Sequence, residues 1–179
     1  MKKVAIVGFG RFGKTLHLLL RDDFEIILFD INPKVYEGVD LTKKTVRAKD
    51  IKEVYQAEVI FYAVPIAVFE KVIANHKQYF KKHLLIDVLS VKQHPAYVFR
   101  KYLKGTKTQA LLTHPMFGPD SSKEGFVQLP LVMDKFMANN DQFAFWKNYF
   151  SSKGIRVIEL SAKEHDRLAA QSQGVTHFI

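Results

Sequence analysis

The chain of 179 residues contains no cysteine. Disulfides, thiolate metal sites and thiol nucleophiles are excluded with it, and such a composition fits a reducing compartment, the cytoplasm. No stretch approaches the roughly 18 uninterrupted apolar residues of a membrane span. The apolar run after Met1-Lys2-Lys3 stops at Gly8, and Arg11 and Lys14 prevent its continuation. It reads as a buried strand rather than a signal peptide. Repeats, low-complexity tracts and long linkers are also missing. Basic residues outnumber acidic ones, 27 to 18, for a formal charge of +9. The Lys-Lys pairs at 2–3, 43–44 and 81–82 lie far apart without interleaved aromatics. That dispersion argues against a nucleic-acid partner and leaves a positive field suited to small anions.

What is present is an apolar share of 47%, with 13% aromatics, enough for one substantial packed domain. Short β-rich runs alternate with longer amphipathic segments. Strands are expected at 3–8, 25–30, 59–64, 84–87, 108–113, 131–134 and 156–160, and helices at 13–21, 51–57, 67–79, 95–103, 141–153 and 163–179. Alternation of this kind predicts an α/β fold. Continuously apolar strands such as Val4-Ala5-Ile6-Val7 predict a Rossmann-type, doubly wound, mostly parallel sheet covered on both faces.

Gly8-Phe9-Gly10-Arg11-Phe12-Gly13 comes directly after the first strand and leads into a helix, matching G-x-G-x-x-G. Glycines there permit a tight turn and let backbone N–H groups approach a pyrophosphate at a helix N-terminus. Asp30 ends the second strand 20 residues after Gly10. Its carboxylate suits the adenosine ribose hydroxyls and repels a 2′-phosphate, favouring NAD. Arg11 and Lys34 leave NADP possible. Val64-Pro65 after the third strand is either a cofactor-flanking loop or an ordinary strand-to-helix turn.

His114 falls in a Pro- and Gly-bounded turn directly after an apolar run. A histidine so held can exchange a proton near neutral pH, and can equally be a satisfied loop residue. Ser90 could orient an imidazole or the nicotinamide amide, or cap the next helix. His165 and His177 are 12 residues apart, too far for one small metal site, so no metal is expected.

Four segments together resemble the prephenate/arogenate dehydrogenase family, its arogenate-type branch in particular. They are Asp87-Val88-Leu89-Ser90-Val91-Lys92, residues 113–121 around His114, residues 129–135, and residues 164–178 beginning Glu164-His165-Asp166. The resemblance implies NAD(P)-dependent oxidative decarboxylation in tyrosine biosynthesis. Prephenate would give 4-hydroxyphenylpyruvate, or arogenate would give tyrosine. It makes His114 the proton acceptor and sets Ser90 beside His114 and the nicotinamide. His177 and His165 fall on the substrate side, His165 also as an organiser of helix or pocket. It further implies a nucleotide-binding domain at 1–161, with 162–179 as the first helix of a C-terminal helical domain through which the full-length enzyme forms a homodimer. Asp120 and Glu124 are the acids that could favour the ammonium of arogenate. The competing reading is a non-catalytic dinucleotide-binding module that senses redox state or engages a partner; the set Ser90, His114 and His177 argues for the enzyme.

Overall fold

The computed structural model describes residues 2–39, 41 and 44–176, with side chains through Ser172. Eight strands form one sheet: β1 (Lys3–Val7), β2 (Glu25–Phe29), β3 (Thr45–Arg47), β4 (Val59–Tyr62), β5 (Leu84–Asp87), β6 (Gln109–Pro115), β7 (Pro130–Asp134) and β8 (Arg156–Glu159). Their order is β3-β2-β1-β4-β5-β6-β7-β8. Strands β1 to β6 run parallel. β7 is antiparallel to β6, and β8 is parallel to β7. The reversal has a covalent cause: no helix separates β6 from β7, and without a crossover the chain can only return antiparallel. Among the described residues, six α-helices complete the fold: α1 (Arg11–Leu20), α2 (Ile51–Val54), α3 (Ile66–His76), α4 (Gln93–Leu103), α5 (Asn140–Ser152) and α6 (Ala162–Thr176).

Alternating side chains divide the core between the two faces. Val4 and Ile6 of β1 join Leu16 and Leu20 of α1 and Trp146 and Phe150 of α5. Ala5 and Val7 point the other way, to a core shared with Phe69 and Ile73 of α3 and Phe99 of α4. Trp146 is fully buried, its ring centroid 5.1 Å from Phe61 and 5.5 Å from Phe24.

The doubly wound, mostly parallel sheet is as predicted, with local departures. β3 was not expected, because a three-residue edge strand carrying one aliphatic side chain has no periodicity to detect. It is tied inward by a buried hydrogen bond between His17 Nε2 and Thr45 Oγ1, 2.9 Å long. The helix expected at 51–57 is a single turn, capped by the Asp50 carboxylate, which accepts from the Lys52 and Glu53 N–H groups. α1 starts at Arg11, inside the glycine motif. β6 runs two residues beyond the expected strand end, so His114 lies within the strand, in register with Val132, and not in the turn after it.

Asp87 and Lys92 are buried together at the carboxyl edge, 0% and 1% exposed. The Lys92 ammonium donates to the Asp87 carboxylate and to the Thr113 carbonyl. Thr113 in turn donates its hydroxyl to the Asp87 carbonyl at 2.6 Å. Lys92→Met strands a buried carboxylate and is expected to cost about 3–5 kcal/mol. Urea unfolding followed by the single tryptophan measures it, and the double change Asp87→Leu with Lys92→Met should cost less than Lys92→Met alone.

Candidate active site

β1 and β4 are adjacent at the centre of the sheet, where the strand order reverses, and a crevice opens outside their carboxyl ends. The crevice encloses about 600 Å³. Gly8, Gly10, Asp30, Val64 and Pro65 all border it. The three motif glycines do different work. Gly8 has φ +93°, and a Cβ there would lie 2.4 Å from the Ala63 carbonyl oxygen. A Cβ on Gly13 would meet the Gly8 carbonyl oxygen at 2.1 Å, so α1 packs on the turn only with glycine at that position. At Gly10, by contrast, a Cβ would meet nothing within 4 Å. That open face lies at the start of α1, where the first backbone N–H groups have no partner within the helix. A diphosphate is the kind of group this arrangement accepts.

Asp30 completes the fit. Its Oδ2 accepts the Phe9 N–H at 2.7 Å and its Oδ1 accepts the Asn32 N–H at 2.8 Å. Each oxygen keeps acceptor capacity for a ribose hydroxyl. Ile31, Val35, Val68 and Val72 supply apolar walls for a flat base. Phe12 borders the crevice and leans on Phe117, 6.2 Å between centroids. Arg11 sits at the rim, but its guanidinium donates to the Asp120 carboxylate at 3.0 Å, both side chains well exposed. Asp120 also pairs with Lys123 at 3.2 Å. It is therefore engaged with two cations at the mouth of the crevice, and neither Asp120 nor Glu124 lines the cavity around His114.

That second cavity, of about 610 Å³, is bordered by Ser90, His114, Met116, His165, Asp166 and Leu168 among others. The β5–α4 segment contributes to both, Val88 bordering the crevice and Ser90 and Val91 the cavity. Three side chains from two elements form a chain of hydrogen bonds here. His114 Nδ1 is 2.8 Å from His165 Nε2, and His165 Nδ1 is 2.7 Å from Asp166 Oδ1. Asp166 also accepts the Lys92 and Gln93 N–H groups, each at 2.8 Å. The carboxylate that serves the amino end of α4 thus comes from α6. Ser90 is exposed and does not cap α4, whose cap position is Lys92.

Burial pushes the His114 imidazole down to about 4, and the Lys92 ammonium adds to the shift, so the ring is neutral at pH 7. Burial raises the Asp166 carboxyl, but bonds from Gln93, His165 and Lys92 outweigh it and leave the group below the usual carboxylate range. Both ring nitrogens of His165 are engaged, one by His114 and one by Asp166. His177 lies outside the described residues. The partnership of His114, His165 and Asp166 was not foreseen from sequence; the adjacent His165-Asp166 pair was visible, but not the strand it would face.

Residues 18–159 match the family model described as the prephenate dehydrogenase nucleotide-binding domain. Arogenate dehydrogenase 1, chloroplastic, of Arabidopsis thaliana is 32% identical over 99% of this chain and 29% of its own length. Arogenate dehydrogenase 2, chloroplastic, from the same plant is 30% identical over 98% of the chain and 51% of its length. Among solved structures, a prephenate dehydrogenase from A. aeolicus in complex with hydroxyphenyl propionate and NAD+ superposes with a TM-score of 0.77 at 20% identity, covering 94% of this chain and 63% of that one. The chain spans about a third to a half of the length of these curated relatives.

The glycine geometry separates folding from binding. Gly13→Ala should lower the melting temperature and weaken cofactor binding together. Gly10→Ala should leave the melting temperature nearly unchanged while raising the dissociation constant for NAD by about tenfold or more, a loss of about 1.4 kcal/mol per decade. Asp30→Ala should weaken NAD and narrow its advantage over NADP. Calorimetric titration with both cofactors, beside thermal melts, checks all three.

Proposed function

The chain belongs to the prephenate dehydrogenase nucleotide-binding family, and from that premise we propose that it supplies the cofactor site and the proton acceptor for NAD(P)-dependent oxidative decarboxylation of prephenate or arogenate. The observation that carries this reading is a neutral, half-buried His114 in a cavity that shares the β5–α4 segment with a crevice suited to a dinucleotide. NAD(P), when bound, accepts a hydride at its nicotinamide ring. Everything else falls to the chain.

The α1 amino end and the open face of Gly10 bind the diphosphate, Asp30 orients the ribose, and Val64-Pro65 flank the nicotinamide half. Ser90 borders the cavity beside His114 and is proposed to hold the substrate hydroxyl or the nicotinamide amide. As hydride leaves the hydroxyl-bearing ring carbon, His114 takes the hydroxyl proton at Nε2, the nitrogen not bonded to His165. The forming carbonyl withdraws electrons across the ring, the bond to the carboxylate breaks, and carbon dioxide departs. The electron pair from that bond restores the aromatic ring, and the phenol oxygen recovers the proton from His114. His177 and a second, helical domain that forms the homodimer complete the substrate side in this reading. The arogenate-type likeness of the chain favours arogenate, and Asp30 favours NAD.

The test is reduced-nicotinamide absorbance in the protein that carries this sequence, with prephenate and arogenate each paired with NAD and NADP. Formation of reduced cofactor with one pairing supports the proposal; cofactor affinity without turnover on either substrate removes it. His114→Ala should lower kcat by about 10²–10⁴-fold with the NAD dissociation constant unchanged. The direction of the His114 shift also sets the acid limb of the pH profile. Protonation disables the acceptor, so kcat/KM should be level from neutral pH down to about 5 and fall as pH drops through about 4. An acid limb near the ordinary histidine value of about 6.5 would overturn the downward shift of His114.

A further inference from the structure

We infer that His165 and Asp166 are positioning residues that hold His114 in the tautomer protonated at Nδ1, so that Nε2 is presented to the cavity as a bare acceptor. The inference deepens the proposed function and rests on it only for the use made of that nitrogen. The tautomer itself is set by donors and acceptors.

The order of donors begins at α4. Its amino end presents the N–H groups of Lys92 and Gln93 to the Asp166 carboxylate, at 2.8 Å each. A carboxylate held by two N–H donors at the positive end of an 11-residue helix stays ionised and can only accept. His165 Nδ1, 2.7 Å away, must therefore donate. In its imidazole form His165, with its one N–H on Nδ1, has a bare Nε2, which can only accept. His114 Nδ1 stands 2.8 Å from it and must donate in its turn. The neutral His114 ring carries a single N–H proton, and that proton is on Nδ1.

The geometry also makes the order difficult to escape. The His114 and His165 rings meet edge to face, centroids 5.0 Å apart with planes at 79°. His165 is 5% exposed, so water does not compete freely for its nitrogens. Asp166 is fixed from α4 and α6 at once, because its backbone belongs to one helix and its carboxylate serves the other. The arrangement resembles in logic the carboxylate–imidazole pair that fixes a catalytic imidazole in hydrolases, with a second imidazole interposed. A His114 ring free to choose would present an N–H to the substrate hydroxyl for part of the time, and an N–H cannot take the proton.

The experiment is a long-range 1H–15N spectrum of the protein labelled with 15N-histidine at neutral pH, the His114 ring being assigned by its loss in His114→Gln. We expect a protonated Nδ1 and a bare Nε2. His165→Phe removes the acceptor and should shift the His114 ring toward the Nε2–H form. His165→Gln, whose side-chain carbonyl can accept from Nδ1, should restore the original pattern. In the active protein His165→Phe should lower kcat about 10²-fold or more with NAD affinity unchanged, and His165→Gln should recover part of it. An Nε2–H or doubly protonated His114 in the unaltered protein overturns the inference, as does a ring pattern indifferent to His165→Phe. The spectrum of the unaltered protein is decisive by itself if His165→Phe does not fold. No substrate or cofactor enters the spectrum, so a protein with the expected tautomer and no turnover would remove the proposed reaction and leave this inference standing.

Discussion

The buried ammonium of Lys92 is the point from which the candidate site around His114 hangs. One residue ties four elements together: its side chain reaches the carboxylate that ends β5 and the Thr113 carbonyl of β6, while its own N–H at the head of α4 meets Asp166 of α6. Removing a charge of this kind from water is expensive, and only full pairing makes it tolerable. The same pairing fixes the residues on either side. Thr113 immediately precedes His114, so the strand is pinned one residue before the proposed proton acceptor. Asp166 comes immediately after His165, so the helix that reaches His114 is pinned one residue after its imidazole.

This arrangement also explains how two cavities of similar size come to hold different chemistry. The crevice at the strand reversal is bordered by a glycine turn, one carboxylate and aliphatic walls, the inventory for a flat base, a ribose and a diphosphate. The cavity beyond the β5–α4 segment gathers the imidazoles and the hydroxyl. The Arg11–Asp120 pair spans the mouth between the glycine turn and the β6–β7 loop. It is an exposed pair of small energetic weight, and a phosphate at the α1 amino end would compete for its guanidinium.

How much of this could be read from the residues depended on range. The glycine turn, Asp30 and the apolar strands are local patterns, and they stand where the spacing predicts. The short edge strand β3 escaped because three residues set no period; it is placed by its ladder with β2 and tied by His17, 28 residues away. Ser90 was a reasonable helix cap by type and position, yet the carboxylate at that helix end comes from Asp166, 74 residues beyond Lys92. The link from His114 to His165 spans 51 residues. No local propensity encodes such partners; they are set by how α6 lies across α4. Family likeness flagged these segments and set Ser90 beside His114, without pairing His114 to His165 and Asp166.

The placement of His114 in a strand rather than a loop is a consequence of the one reversal in the sheet. A parallel β6 at the sheet edge would have ended near Thr113, where its partner β5 ends at Asp87. Because β7 returns antiparallel, the ladder continues through His114 opposite Val132 and Pro115 opposite Leu131. A side chain held in a ladder has its backbone direction fixed, and its ring needs only one further restraint to have a single orientation. His165 of α6 supplies that restraint through its 2.8 Å hydrogen bond to His114. The reversal of β7 and the seating of α6 on α4 thus solve one problem between them: a neutral imidazole aimed in a constant direction, at the end of a sheet whose other half is committed to the nucleotide.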